Sequence, residues 1–174
     1  EYQLLRENRP DNYPHLILVP HEPTPERIKE IRGYLMRERL KHLCFSELTP
    51  EVDLSTVDVL VVDSVGLLAK LYRLADIAFV GGSFRGSVHN VMEPAAMAKP
   101  VIFGPMIQNA HEASLLVDRG GAKLVRTAQA LADAITVWLD DADARTIAGD
   151  IGKQLIAENL GAVARTLVHL RAYV

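Results

Sequence analysis

The 174-residue sequence lacks the marks of several functional classes. It has one cysteine, Cys44, so an internal disulfide is excluded; set between Leu43 and Phe45 in an apolar run, it reads as a buried structural thiol. The histidines, at positions 15, 21, 42, 89, 111 and 169, show no ligand spacing, and no metal site is expected. With a net charge of −3, no broad basic field exists to release counterions from a phosphate backbone, and nucleic acid is not an expected partner. The basic residues between Arg27 and Lys41 are mixed with Glu26, Glu30 and Glu38 and read as a solvated helix face. There is no signal peptide, and no apolar run reaches about 18 residues, the pattern of a membrane span. Neither G-x-G-x-x-G nor G-x-x-x-x-G-K-[ST] occurs, which speaks against a dinucleotide redox cofactor and a P-loop nucleoside triphosphatase. No nucleophile–histidine–carboxylate set or pair of carboxylates is legible. The first residue is Glu rather than Met, so the chain reads as a fragment.

What is present is a regular alternation of short apolar runs with helical segments. After a helix tail over 1–8 and a turn at Asn12 and Pro14, strands are expected at His15–Val19, Leu43–Phe45, Val57–Val62, Asp76–Val80, Pro100–Phe103 and Ala122–Val125. Helices are expected at 25–41 behind a Thr24 cap, 67–75, 90–98, 109–119 closed by Gly120-Gly121, 128–139, and from 143 to about 173, where Gly152 and Gly161 invite a bend. Strands buried on both faces read as continuous apolar runs, and crossover helices make them parallel. The class is therefore α/β, a Rossmann-like, open, doubly wound parallel sheet. Ligands of such sheets bind beyond the carboxyl ends of the strands. That directs attention to Pro20-His21-Glu22, Asp63-Ser64-Val65-Gly66, Gly81-Gly82-Ser83 and Gly104-Pro105.

The most informative segment is FVGGSFRGSVHNVMEPA, residues 79–95. An apolar strand breaks at two glycines, a small polar loop follows, and Asn90 and Glu93 stand at the head of a helix. Glycines let backbone approach a ligand, and a helix start offers unpaired N–H groups. Two readings are open for Asn90 and Glu93. They form a capping box, with Pro94 alternatively making Glu93 itself the cap. Or Asn90 and the nearby amides face a phosphate while Glu93 accepts bonds from ribose hydroxyls. Asn109 and Glu112 repeat the spacing, where capping is the simpler reading, and His111 reads as an exposed helix residue. Arg85 and His89 flank the glycine loop; each is either a solvated loop residue or a partner for an anionic ligand. Asp63 reads as a cap of the following turn, and Gly66 as a place where backbone passes close to a flat base.

The run FVGGSFRGSVHNVMEPAAMAKPVIFGP, with the later N-A-H-E-A and the Gly-Gly-Ala turn, resembles the donor-binding half of bacterial 3-deoxy-D-manno-octulosonic acid (Kdo) transferases. The resemblance runs from LILVPHEPTPERI to the last helix. It implies the C-terminal half of a two-domain GT-B glycosyltransferase. Residues 1–174 would form a single donor-binding domain that takes the nucleotide sugar CMP-Kdo as substrate, with no cofactor. Three family segments hold the nucleotide. They match Pro20-His21, Val65-Gly66-Leu67, and Asn90-Val91-Met92-Glu93, with Gly82 and Ser83 in the glycine loop. His21 stands where the family has Arg and Leu67 where it has Glu; backbone contacts survive both changes. The departures fit either a divergent branch using the same donor or a different nucleotide sugar.

The resemblance also implies that the catalytic base lies in an N-terminal, acceptor-binding domain absent from this chain. No catalytic residue is assigned here. The fragment is expected to bind donor weakly and to transfer nothing alone. The acceptor would be a lipid A precursor. The whole enzyme would sit at the cytoplasmic face of the inner membrane, peripheral or N-terminally anchored, with the fragment itself soluble. Two rivals remain: another GT-B enzyme or nucleotide-sugar epimerase using a UDP- or GDP-sugar, and a non-catalytic α/β module that binds a partner protein.

Overall fold

The computed structural model of the chain describes Leu5 and residues 14–159. The helix tail expected over 1–8, Leu5 aside, and the last helix beyond Asn159 lie outside the described residues. The chain divides into two compact units, residues 1–71 and 72–174. Each carries three parallel strands. In the first, β1 (Leu16–Leu18), β2 (His42–Cys44) and β3 (Val59–Val61) are ordered β1-β3-β2. In the second, β4 (Ala78–Val80), β5 (Val101–Phe103) and β6 (Ala122–Leu124) run in sequence order. The expected α/β class and parallel pairing hold, and all six strands fall within the expected runs apart from His42, one residue before the second.

In the first unit, helix α1 (Pro25–Arg37) begins as the sequence dictates. Thr24 Oγ1 accepts the Arg27 N–H at 3.2 Å, with proline in the first turn. It stops four residues before Lys41, where the apolar pattern would carry it. Arg39 adopts φ 56°, and the Leu40 N–H bonds the Leu35 carbonyl at 2.9 Å. This six-to-one closure normally uses glycine, so no sequence signal marked it. Leu40 and Leu35 are then buried with Cys44, Val59 and Val61, against Ile28 and Ile31 of α1. Asp58, buried just before β3, accepts the Lys41 N–H at 2.7 Å, and its carbonyl accepts from Leu16. One residue thereby fastens the entrances of β1 and β2 to β3. Helix α2 (Leu68–Leu71) is a single turn rather than the nine residues expected.

The second unit is wound on both faces. Val101 and Phe103 of the central strand β5 point into a cluster with Val91, Ala95, Ala113, Leu116 and Leu155. These come from α3 (Met92–Ala96) and its approach, α4 (His111–Arg119) and α6 (Ala142–Asn159). Ile102 points to the opposite face, into a cluster with Leu131, Ala134 and Trp138 of α5 (Ala128–Asp140). Alternation along three wholly buried residues therefore organises two cores. Helix α3 is shorter than expected because Ala98 takes φ 54° and ends it.

Gly152 does not interrupt α6. It and Gly149 are the surface on which α3 rests. A Cβ at Gly149 would overlap the Ala98 carbonyl oxygen and lie 2.8 Å from its carbon, and one at Gly152 would lie 3.3 Å from the Ala95 Cβ. Close approach of two helices thus outweighs the roughly 1 kcal/mol that each glycine costs a helix. Gly149→Ala is expected to destabilise the protein by about 1–3 kcal/mol through overpacking. Chemical denaturation measures this; an unchanged midpoint would contradict the packing described.

Candidate functional site

The loop segments singled out in the sequence follow the carboxyl ends of β1, β3, β4 and β5. In the first unit, Pro20 and His21 follow β1, and Val65, Gly66 and Leu67 follow its paired neighbour β3. The ladder therefore brings both groups to one end of the sheet. His21 and Val65 are exposed, and Pro20 and Leu67 are half-buried. Gly66 has φ +82°, and the space beside its α-carbon is open. Leu67 supplies the carbonyl that accepts from Lys70 and Leu71, so its backbone starts α2.

Asp63 does not cap the turn that follows it. Its carboxylate takes the N–H of Ser46 at 3.0 Å and, through the other oxygen, the Ser46 hydroxyl. Those bonds, the hydroxyl first, hold it below the usual carboxylate range. Glu47 is lowered by the Cys44 N–H and then by Arg32, with which it pairs at 2.7 Å. Burial raises Cys44 despite Arg32 beside it, which leaves the thiol inert. This polar knot ties the carboxyl ends of β2 and β3 together. An open cavity of about 710 Å³ beside α1 is lined by Pro23, Lys29, Arg32, Met36 and Asp63 among others and includes none of the predicted ligand residues.

The second unit contains the more constrained corner. The chain leaves β4 through Gly81 and Gly82, loops out, and returns so that the His89 N–H bonds the Gly81 carbonyl at 3.1 Å. Gly82 takes φ +91° and its carbonyl accepts from Arg85 and Gly86. No other residue fits: a Cβ there would overlap the Ser87 carbonyl oxygen and lie 2.8 Å from the His89 ring. Ser83 is wholly buried and its Oγ accepts the Gly104 N–H at 2.7 Å, while its carbonyl accepts from Met106 at 3.0 Å. Its side chain is a structural tie, so the contact expected of Ser83 falls to backbone. Val91, also buried, is likewise limited to backbone contact. Phe84 stacks on Phe79 at 6.5 Å and packs where a Gly104 side chain would be.

Neither Asn90 nor Glu93 is the helix cap; that position belongs to Val91, with Pro94 in the first turn. Asn90 instead divides its amide. Oδ1 accepts the Met92 N–H at 2.9 Å and Nδ2 donates to Glu93 Oε1 at 2.8 Å. The pair is exposed, and the effect is to hold the Glu93 carboxylate in one orientation. A five-residue helix has little macrodipole, so any anion attraction here comes from first-turn N–H groups. Asn109 does not cap α4 either: its Nδ2 donates to the Val88 carbonyl at 3.1 Å and tethers the loop. His111 is exposed.

Sequence reasoning missed Tyr72. Burial, and then the nearby Glu93 carboxylate, push its phenol up. An aromatic in a leucine-rich stretch carries no signal of that neighbour. Among the described residues there is no group of three or more His, Cys, Asp or Glu placed to hold a metal ion. Among those residues, too, no helix is long and apolar enough to cross a membrane.

The depressed carboxylates of the first unit make a pH prediction. Their stabilisation is full above the ordinary values of 4.5 and 3.8 for Glu47 and Asp63 and is lost as pH falls through the lowered folded values. The melting temperature is expected to drop with pH below about 4.5, and less steeply for Ser46→Ala. Equal slopes in the two proteins would refute the assignment.

No protein-family model matches the chain. Individual proteins do. A 3-deoxy-D-manno-octulosonic acid transferase of Haemophilus influenzae is 35% identical over 164 residues, 92% of this chain and 38% of that protein. The transferase of Chlamydophila psittaci is 31% identical over 86% of this chain and 34% of that protein. The chain thus spans well under half the length of these curated relatives. In structure, it superposes with TM-score 0.78 and 24% identity on the C-terminal CMP-Kdo binding domain of WaaA from Acinetobacter baumannii, covering 88% of this chain and 80% of that one. Sucrose-phosphate synthase from Thermosynechococcus elongatus gives 0.67 at 19% identity, covering 99% and 41%. The superpositions establish the GT-B type of fold, and the sequence likeness gives the lineage: this chain belongs to the Kdo transferase family.

Proposed function

We propose that this chain is the donor-binding part of a glycosyltransferase that moves Kdo from CMP-Kdo. One observation carries the reading: Asn90 fixes the exposed Glu93 carboxylate beside a loop that Gly82 and Ser83 lock in place. A carboxylate held in one orientation suits a ribose diol, because it accepts two hydrogen bonds. Asn90 uses one acceptor site of Oε1, which leaves Oε2 and the second site of Oε1 for the two ribose hydroxyls. Backbone of Gly82, Ser83, Val91 and Met92 borders the place of the phosphate. With the Met92 N–H held by Asn90 and no N–H on Pro94, the first-turn N–H of Glu93 would meet the negative charge that develops on CMP as its bond to the sugar breaks. Pro20, His21, Val65, Gly66 and Leu67 are proposed as contacts to the same class of ligand, through backbone at His21 and Leu67.

On this reading residues 1–174 serve one purpose, donor binding. The acceptor is a lipid A precursor. The carboxylate that takes the proton from its hydroxyl belongs to the acceptor-binding part of the protein, at the cytoplasmic face of the inner membrane. Family membership and the fixed carboxylate together favour this over a partner-binding module, which has no use for either.

Titration calorimetry of the full-length protein with CMP, UDP and GDP is expected to show CMP binding tightest. Glu93→Gln is expected to weaken it about ten- to hundredfold, the worth of a hydrogen bond to a charged group. Preference for UDP or GDP would move the assignment to another nucleotide sugar. Undiminished binding by Glu93→Gln would remove the carboxylate from the site.

A further inference from the structure

We infer that Gly149 of α6 is a positioning residue: without touching any ligand, it sets how well the protein grips a ribose by seating the helix that carries Glu93. The inference rests on the nucleotide reading above. It extends that reading to a different helix, outside the segments that match the family's nucleotide motifs.

Glu93 stands in the first turn of α3, a helix of five residues that is too short to fix its own place. The far end of that helix is wound tightly back on it. The Met97 N–H reaches the carbonyls of Glu93 and Pro94 at 3.3 and 3.1 Å, and the Lys99 N–H bonds the Pro94 carbonyl at 3.0 Å. Ala98 closes the turn with φ 54°. A shift of the Ala98 peptide is therefore carried to Glu93 through backbone bonds and is not absorbed in a loose connection.

That peptide is what Gly149 meets. A Cβ on Gly149 would overlap the Ala98 carbonyl oxygen, and would lie 2.8 Å from the Ala98 carbonyl carbon and 3.5 Å from the Lys99 nitrogen. These are backbone atoms, which cannot swing aside as the end of a side chain does. On the same helix, Gly152 meets the Cβ of the wholly buried Ala95 at 3.3 Å. A methyl group at position 149 must consequently push α3 off α6 and take Glu93 with it. Asn90 does not resist such a push. It holds the Met92 N–H and Glu93 Oε1, so it orients the carboxylate relative to α3 and travels with that helix. Orientation thus comes from Asn90 and position from α6. Hydrogen bonds to a diol weaken steeply with misalignment, and a displacement of about 1 Å transmitted from a remote residue can cost up to about a hundredfold. Gly33 supplies the contrast. It too lies inside a helix, but a Cβ there would meet only the end of the Arg37 side chain, at 3.9 Å.

The test reads ribose discrimination in the full-length protein, as the ratio of affinities for CMP and 2′,3′-dideoxy-CMP by titration calorimetry. The wild type is expected to favour CMP. Gly149→Ala is expected to weaken CMP about tenfold and leave dideoxy-CMP unchanged, so that the ratio collapses. A variant that is merely less folded binds both ligands less by the same factor and keeps the ratio. Gly33→Ala is the control and is expected to leave both affinities as they are. If Gly149→Ala does not fold, Gly152→Ala decides by the same ratio, since its contact asks the neighbour to give by only a few tenths of an ångström. An unchanged ratio in the folded variant overturns the inference and leaves the donor-binding reading standing. A wild type that binds the two ligands alike removes Glu93 from the ribose, and the inference falls with it. If the wild type prefers another base, the monophosphate and dideoxy monophosphate of that base take the place of the pair. A wild type that binds no nucleotide overturns both the donor-binding reading and the inference.

Discussion

A single buried hydroxyl holds the corner together. Ser83 Oγ takes the N–H of Gly104, twenty-one residues on and just past β5, at a point where neither group reaches water. The bond joins the exits of β4 and β5 immediately beyond their last ladder pair, Val80 with Phe103. With those exits fixed, Met106 exchanges backbone bonds with Ser83 and Val88, and Asn109 reaches Val88. Everything the second unit presents at its strand ends is hung from this frame. Buried polar groups require partners, so a serine here is both satisfied and satisfying.

A second constraint acts from the opposite end of α3. That helix is too short to keep its place by its own hydrogen bonding. It is seated by α6, whose glycines admit it to backbone distance, and by the Lys99 N–H on the Pro94 carbonyl. The Lys99 ammonium also reaches the Arg73 carbonyl at 3.4 Å, beside Tyr72. The position of Glu93 is consequently a property of packing and only secondarily of local sequence.

Legibility in the sequence followed physical range. Strand positions, parallel pairing and two-sided burial could be read because apolar runs and crossover helices act locally and repeatedly. Element ends were less legible where a non-glycine residue took the left-handed conformation: Arg39 and Ala98 each stop a helix without the usual signal. Side-chain roles were legible as places rather than as bonds. Asn90 and Glu93 were correctly singled out as a coupled pair, but the coupling is amide to carboxylate instead of side chain to backbone. Asp63, Ser83 and Asn109 each spend their polar atoms on residues 17 to 21 positions away, and nothing in spacing reports such partners.

The loop between Gly82 and His89 has its two ends fastened to each other and to the sheet, and its middle in solvent. Such a segment is a cassette. The entropic penalty of a longer closed loop grows only with the logarithm of its length, about 0.6 kcal/mol per doubling. Residues could be inserted or exchanged between positions 84 and 87 while the neck, and with it Asn90 and Glu93, stayed where they are. Divergence in a fold built this way has an outlet that spares what stands beside it: the tip can be rewritten while the neck keeps its bonds.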